Sequence, residues 1–241
     1  EQLGTTTTPG FLILLATGPA GYRSLCRLSS LVQAHPDREA LAARGLAWSD
    51  LEAHSDGLLC LSGGRRGWLE RFLRAGDAPA AARYAHRLAA AFPGSAYLSL
   101  ELHRPGDLSL ARKLIELGAK YHLPTAAVQP VYTLAPKDVP RLRLLAAINH
   151  NLPLDQVPSS TLPDGGDSRL SLHWLNPAEV RERFAALPGA METVGEIVAR
   201  CKPALPDGRP IWPDLKLPPG QDPDTALAGL ARAGLVARYG P

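Results

Sequence analysis

The chain has 241 residues, 45% of them hydrophobic and 20% charged, with a formal net charge of +3. This balance excludes a disordered chain and argues against a dedicated nucleic-acid-binding module, which would carry a denser basic stripe. The longest apolar run, Phe11 to Ala16, is far too short to span a bilayer, so no membrane role is expected.

No signal peptide is visible and the first residue is not Met, so the expectation is a trimmed piece of a cytoplasmic protein. The length suits one α/β domain with an appended piece. Cys26, Cys60 and Cys201 sit in apolar patterns with no C-x-x-C spacing, which predicts buried free thiols and no zinc site.

In chain order, a Thr-rich stretch, Thr5 to Thr8, precedes an apolar strand ending at Ala16. From Gly21 to His35, Leu25, Leu28, Leu31 and Val32 recur at helical spacing, and Pro36 ends the helix. Ser49-Asp50-Leu51-Glu52 has the form of a capping box and announces a short helix. The strand Leu58 to Ser62 runs into Ser62-Gly63-Gly64-Arg65-Arg66-Gly67 and then a helix from Trp68 to Arg74. That loop lacks the lysine and hydroxyl of a nucleotide-binding loop, so it reads first as a tight turn. Its glycines and cations also suit weak anion binding, with Arg65 and Arg66 as the residues to test. The other arginine clusters, Arg71-Arg74 and Arg141-Arg143, read as solvated helix faces.

A helix from Ala78 to Phe92 places Ala82, Ala85, Leu88, Ala89 and Phe92 on one face, and a strand from Tyr97 to Leu102 follows. His103 comes next, in a loop at a strand's C-terminal end. No acid or nucleophile is placed beside it by spacing, so a surface histidine is expected. The helix Leu108 to Tyr121 leads to the stretch Leu123 to Leu134, read as a buried parallel strand opening into a Pro-containing loop. Strand, helix, strand, helix, strand is the pattern of a parallel sheet with right-handed crossovers.

Beyond it, Pro136 to His150 is predicted as a helix with Leu142, Leu144, Leu145 and Ile148 inward, and Leu152 to Arg169 as an exposed, mobile loop. Asp164 and Asp167 in that loop lack the ligand spacing of a calcium site. Asn176 caps the first of two helices reaching Cys201. A Pro-rich extended linker, Pro203 to Pro223, leads to a last helix capped by Asp222 or Asp224 and ending at Tyr239.

Several stretches carry a family resemblance. Leu123 to Leu134 resembles the "LPVVATNDVHY" strand of the polymerase and histidinol phosphatase (PHP) domain at the front of bacterial C-family DNA polymerases. Gly10 to Leu28 resembles "HLTLLAKN…GYRNLCRL", Gly57 to Gly67 "GLIALSGG…G", Tyr97 to Leu102 "FYLEL", Met191 to Cys201 "ANTVEIAERC", and Gly234 to Gly240 "GLKKRYG". These matches cover nearly the whole chain in order. The resemblance implies a PHP-type distorted (βα)7 barrel of parallel strands with outer helices, its N-terminal strands missing. It places the PHP-like domain at residues 1–202, with 203–241 as the linker and helix leading toward a polymerase body.

Active members of that family hold a metal cluster with His, Asp, Glu and Cys. At the matching positions this chain has Phe11, Gly64, Pro130 and Tyr132. Only Glu1 matches as a remnant ligand, and the opening His-x-His strand has no counterpart. One carboxylate does not assemble a hydrolytic metal centre.

The resemblance therefore implies a non-catalytic structural and docking module of a DNA polymerase III α subunit or an error-prone relative, with no cofactor in this segment. The polymerase itself would use magnesium and nucleoside triphosphates, but the palm's Asp-x-Asp motif is absent, and Asp222 and Asp224 read as caps. Expected partners are the rest of the polymerase chain and a proofreading exonuclease, with DNA contact indirect. The alternatives are a metal-dependent phosphoesterase or 3′–5′ exonuclease completed by residues outside this sequence, and a stand-alone binding protein.

Overall fold

The computed structural model describes residues 10–205, 208–209 and 216–240, apart from the side chains of 42 and 43. Glu1 and the stretch Thr5 to Thr8 lie outside the described residues. The chain divides into two units, Glu1–Leu205 and Pro206–Pro241.

The first unit is built on a four-stranded sheet in the order β1 (Ile13–Ala16), β2 (Leu58–Leu61), β3 (Ala96–Leu100) and β4 (Thr125–Ala127). Between β1 and β2 run α1 (Pro19–Gln33), α2 (Arg38–Arg44) and α3 (Trp48–Ala53). Next come α4 (Trp68–Arg74) and α5 (Ala78–Ala91), then α6 (Asp107–Tyr121), which joins β3 to β4. After the sheet come α7 (Arg141–His150), α8 (Pro177–Arg183) and α9 (Pro188–Arg200).

Every residue of β2 and β3 is buried, as strands covered on both faces must be. Alternation along the strands divides the core in two. Cys60, Leu98 and Leu100 join Ala81, Ala85 and Leu88 of α5 and Phe72 of α4 on one side. Leu59, Leu61, Tyr97 and Ala126 meet Ile197 of α9 on the other. Burying each large apolar side chain contributes roughly 1.5–3 kcal/mol. Asp77 starts α5 by accepting the Ala80 N–H at 2.9 Å, and a run of alanines then loses little side-chain entropy in the helix.

The sheet is mixed. β2, β3 and β4 are parallel, but β1 runs antiparallel to β2, with Ile13 opposite Leu61 and Ala16 opposite Leu58. This corrects the all-parallel expectation for β1. An apolar run carries no direction, and the long connection through α1 to α3 permits either one. The antiparallel arrangement carries the chain just before β1 to the same edge of the sheet as the C-terminal ends of β2 and β3.

Other expectations also change. The Leu123 to Leu134 stretch forms only the three-residue β4, which ends the sheet and is not central to it. Past Ala127 the backbone is irregular, and the amides of Tyr132 and Thr133 both donate to the Leu172 carbonyl. Ser49 is not a cap, because α3 starts two residues earlier than that cap would place it, with Ala47 at the N-cap and no side-chain bond. The unforeseen α2 is capped by Asp37. Leu31 is exposed, and on α5 Tyr84 is fully buried where Ala82 and Ala89 are only half-buried. Cys60 is the single buried thiol, Cys201 is half-buried and Cys26 is exposed.

Pro136 to His150 is not one helix. A 3-10 turn, Pro136–Asp138, is followed by α7, whose N-cap is Pro140, a residue with no N–H to continue a preceding helix. Ala147 is the buried residue of α7; Leu144, Leu145 and Ile148 face outward. The 152–169 segment is not wholly exposed, since Val157 is buried and Asp164 half-buried. Asn176 forms the expected cap of α8, and Glu179 closes it from the other side.

The second unit contains α10 (Pro223–Tyr239). Of the two candidate caps, Asp222 accepts the Thr225 N–H at 3.0 Å. Among the described residues no helix is long and apolar enough to cross a membrane.

Candidate functional site

The parallel strands β2, β3 and β4 deliver Ser62, Glu101 and Gln129 to one rim of the sheet, and antiparallel β1 brings Phe11 there from its N-terminal side. The rim gathers Phe11, Gly64 and Tyr132, three residues that the resemblance matched to ligand positions, together with Arg65 and Arg66.

The Ser62 to Gly67 loop folds tightly. The Gly67 amide donates to the Gly63 and Gly64 carbonyls, and the Phe11 amide donates to the Arg66 carbonyl at 3.0 Å, clamping the entry of β1 to the loop. Gly64 has φ +54°, and a Cβ there would lie 1.7 Å from Glu101 Oε1. The carboxylate of Glu101 occupies the space that a side chain at position 64 would need. It also accepts the Arg65 amide at 3.3 Å.

Glu101 and His103, two apart and so on the same side of an extended chain, form a pair. His103 Nε2 lies 3.3 Å from Glu101 Oε2. On the other side of the ring, Nδ1 accepts the Ser171 amide at 3.2 Å. A nitrogen that accepts carries no proton, so the ring is neutral and Nε2–H donates to Glu101. The His103 side chain has no exposed surface, which corrects the expectation of a surface histidine. The bulky segment around Ser171, remote in sequence, covers it.

Beneath this pair lies a second cluster. Asp107 accepts the amides of His103 and Arg104 at 2.9 and 3.0 Å. Burial alone would raise its pKa, but these two amides with Arg74 and Arg104 hold it below the ordinary carboxylate value. Arg74 also donates twice to Glu70 Oε1, at 2.6 and 2.9 Å. Burial pushes Glu70 up to about 7 against the pull of Arg74. The Arg71-Arg74 cluster, expected to be a solvated face, therefore includes an arginine committed to buried acids.

On the far side, Gln129 Nε2 donates to the Ser171 carbonyl at 2.8 Å and its Oε1 accepts Arg183 at 3.0 Å. Arg66 bridges Phe11 and Tyr132. Its guanidinium lies 3.9 Å over the Phe11 ring, and NH1 donates to the Tyr132 hydroxyl at 3.0 Å. Pro130 presents a carbonyl that accepts from Gln129. Arg65 Nε is 3.8 Å from Asp164 Oδ1. Asp167 is held instead by a two-pronged contact with Arg169, so the two acids do not converge on one point.

Among the described residues no three or more His, Cys, Asp or Glu side chains cluster closely enough to hold a metal ion. Glu1 lies outside the described residues. Cys60, buried beneath the sheet, has its thiol pushed up to about 12 by burial and is no nucleophile.

Sequence reasoning singled out Arg65 and Arg66 but missed Glu101, Gln129, Ser171 and Arg183. A usable signal existed for Glu101: a carboxylate directly after a strand of largely apolar residues, with a histidine two residues on. Ser171 and Arg183 gave none, because their roles depend on how the segment after β4 folds back.

The PHP domain model matches residues 3–104. The chain is 33% identical over 247 residues to the error-prone DNA polymerase of Symbiobacterium thermophilum, covering 95% of this chain and 22% of that protein. It is 26% identical over 230 residues to DNA polymerase III subunit alpha of Bacillus subtilis, covering 95% of this chain and 19% of the relative. To the same subunit of Caulobacter vibrioides it is 30% identical over 235 residues, covering 94% and 19%. The chain thus spans about one fifth of the length of the curated relatives it matches.

Proposed function

From the premise that this chain belongs to the PHP domain family, in the form found within bacterial DNA polymerase III α subunits and error-prone DNA polymerases, we propose that it is a non-catalytic structural and docking domain of such a polymerase. The observation that carries the reading is the filling of the rim. Arg66 spans Phe11 and Tyr132, and Glu101 fills the space in front of Gly64. A positive guanidinium and a hydrogen-bonded carboxylate–histidine pair stand where the family's ligands would converge, and a cation brought there would meet Arg66 first.

The same reading takes the sheet as part of a distorted PHP-type barrel, and residues 203–241 as the passage toward the polymerase body, in the cytoplasm. The outward face of α7, with Leu144, Leu145 and Ile148, supports a surface covered by another part of a chain five times as long. A proofreading exonuclease is the partner expected elsewhere on the domain.

The test is metal content of the purified protein by elemental analysis, with nuclease and phosphatase assays in added manganese or zinc. No stoichiometric metal and no hydrolysis is the expected result. A bound metal cluster with hydrolysis would replace this reading with that of a metal-dependent phosphoesterase.

A further inference from the structure

The segment 170–174 lies over His103 as a strap, and Ser171 is the point at which three different elements hold it. Its amide donates to His103 Nδ1 at 3.2 Å, its carbonyl accepts Gln129 Nε2 at 2.8 Å and its hydroxyl accepts Arg183 NH2 at 3.2 Å. Beside it, the Leu172 carbonyl accepts the amides of Tyr132 and Thr133. Leu170 and Leu172 seat the strap by burial, which has no direction, and the hydrogen bonds fix where it sits.

Two of the three contacts at Ser171 do not change near neutral pH, because the Gln129 amide does not titrate and the Arg183 guanidinium stays charged. His103 is the exception, since the same ring atom accepts when neutral and donates when charged. A backbone N–H can only donate, so the Ser171 contact requires the neutral ring, with its proton on Nε2, 3.3 Å from Glu101 Oε2. A second proton has one place to go, Nδ1, where it would point at the Ser171 N–H. The other ionisable groups around the pair are Arg65, which lies 3.8 Å from Asp164, Asp107 of α6 with Arg104, Arg74 and Glu70 of α4, and Arg183 of α8, which is drawn toward Glu179. Of all these groups Glu101 bonds the ring directly, and its carboxylate would pair with an imidazolium.

We propose that His103 is a proton-operated latch: its neutral ring pins the 170–174 strap through the Ser171 amide, and a proton taken up at Nδ1 when the strap opens keeps that bond from re-forming. The ring is closed to solvent while the strap is down, so the proton enters during local opening, and acid traps the opened state. Gln129, Arg183 and the buried leucines keep the loosened strap attached. The latch is independent of the docking role.

The test follows amide hydrogen exchange of the 241-residue chain by NMR from about pH 8 to about pH 5, the span in which histidines titrate, corrected for the intrinsic pH dependence of exchange. Protection of the Ser171 amide, and of the Tyr132 and Thr133 amides that donate to Leu172, should fall about tenfold toward acid as one hydrogen bond is lost. The Leu98 and Cys60 amides, bonded within the sheet region, should keep theirs. The nitrogen chemical shifts of the His103 ring should titrate with the same midpoint, a comparison that needs no variant. His103→Asn removes the proton site, keeps an oxygen close to where Nδ1 stood, and should hold the strap throughout the span. Protection at Ser171 that does not change with pH, a ring that titrates without loss of protection, or the same loss in His103→Asn would overturn the latch. So would a parallel loss at Leu98 and Cys60, which would assign the change to the whole fold.

Discussion

The β2–β3 core and α7 are made of the same kinds of residue and meet opposite fates. Leu59, Leu98 and Leu100 have no exposed surface, whereas Leu144, Leu145 and Ile148 are 51%, 61% and 69% exposed. The strand leucines are covered by α5 and α6 on one face and by α9 on the other. Helix α7 follows a Pro-broken turn and packs chiefly against the short turn Leu154–Gln156. Apolar content describes what a segment has available to bury; the elements around it decide whether it is buried.

The largest expected effect exploits this contrast directly. Leu98→Ala should cost about 3–4 kcal/mol in urea unfolding, because the removed methyl groups leave a cavity against α5 and α6 that packed neighbours cannot collapse into. Leu145→Ala should change stability by less than about 0.5 kcal/mol, as at other exposed positions. Comparable losses for the two would mean that α7 is buried in solution, and the contrast between the regions would fail.

The next effect concerns a buried charge at the border of the core. Glu70 has an ordinary pKa near 4.5, raised to about 7 by burial. The folded state therefore takes up a proton that the unfolded state has lost between those values. Its stabilising contribution is complete below about pH 4.5 and lost as pH rises through 7, a swing of up to about 3 kcal/mol for the fully buried side chain. Glu70→Gln should flatten that fall relative to the parent chain. Asp107, held below the ordinary value, works in the opposite sense and loses its contribution as pH falls. A parent profile as flat as that of Glu70→Gln would show that Arg74 keeps the acid ionised throughout.

Legibility in the sequence follows the same division. The strands β2 and β3 and the helices α4, α5, α6 and α9 are written in local hydrophobic patterning, so the folded core is close to the expected one. The direction of β1 is not local, and neither is the burial of His103, which depends on an amide 68 residues away. The short β4 departs from its apolar run because Pro124 and Pro130 bracket it and remove two amides from any ladder. That Arg66, Glu101 and Gln129 meet their partners at the rim depends on contacts no spacing records.

Gly64 tests how firmly the rim is refilled. Alanine there meets Glu101 Oε1 and takes a positive φ, so Gly64→Ala should cost about 2 kcal/mol. Glu101→Ala in the same background should recover part of that loss, since the clash goes with the carboxylate. No recovery would assign the cost to the backbone conformation alone.

The smallest effect belongs to the join between the two regions. Arg66 is exposed, and its bond to Tyr132 competes with water, so Tyr132→Phe should cost only about 0.5–1 kcal/mol. The informative quantity is the coupling in a double-mutant cycle with Arg66→Gln, expected at about 0.5 kcal/mol. Arg66 touches Phe11 at the entry to β1 as well as Tyr132 beyond β4, so a measurable coupling means the guanidinium ties the core side of the rim to the segment that leads into α7. A coupling of zero would mean that the core and the α7 segment meet at the rim without depending on each other, and the backbone bonds of Tyr132 and Thr133 to Leu172 would then hold that segment in place unaided.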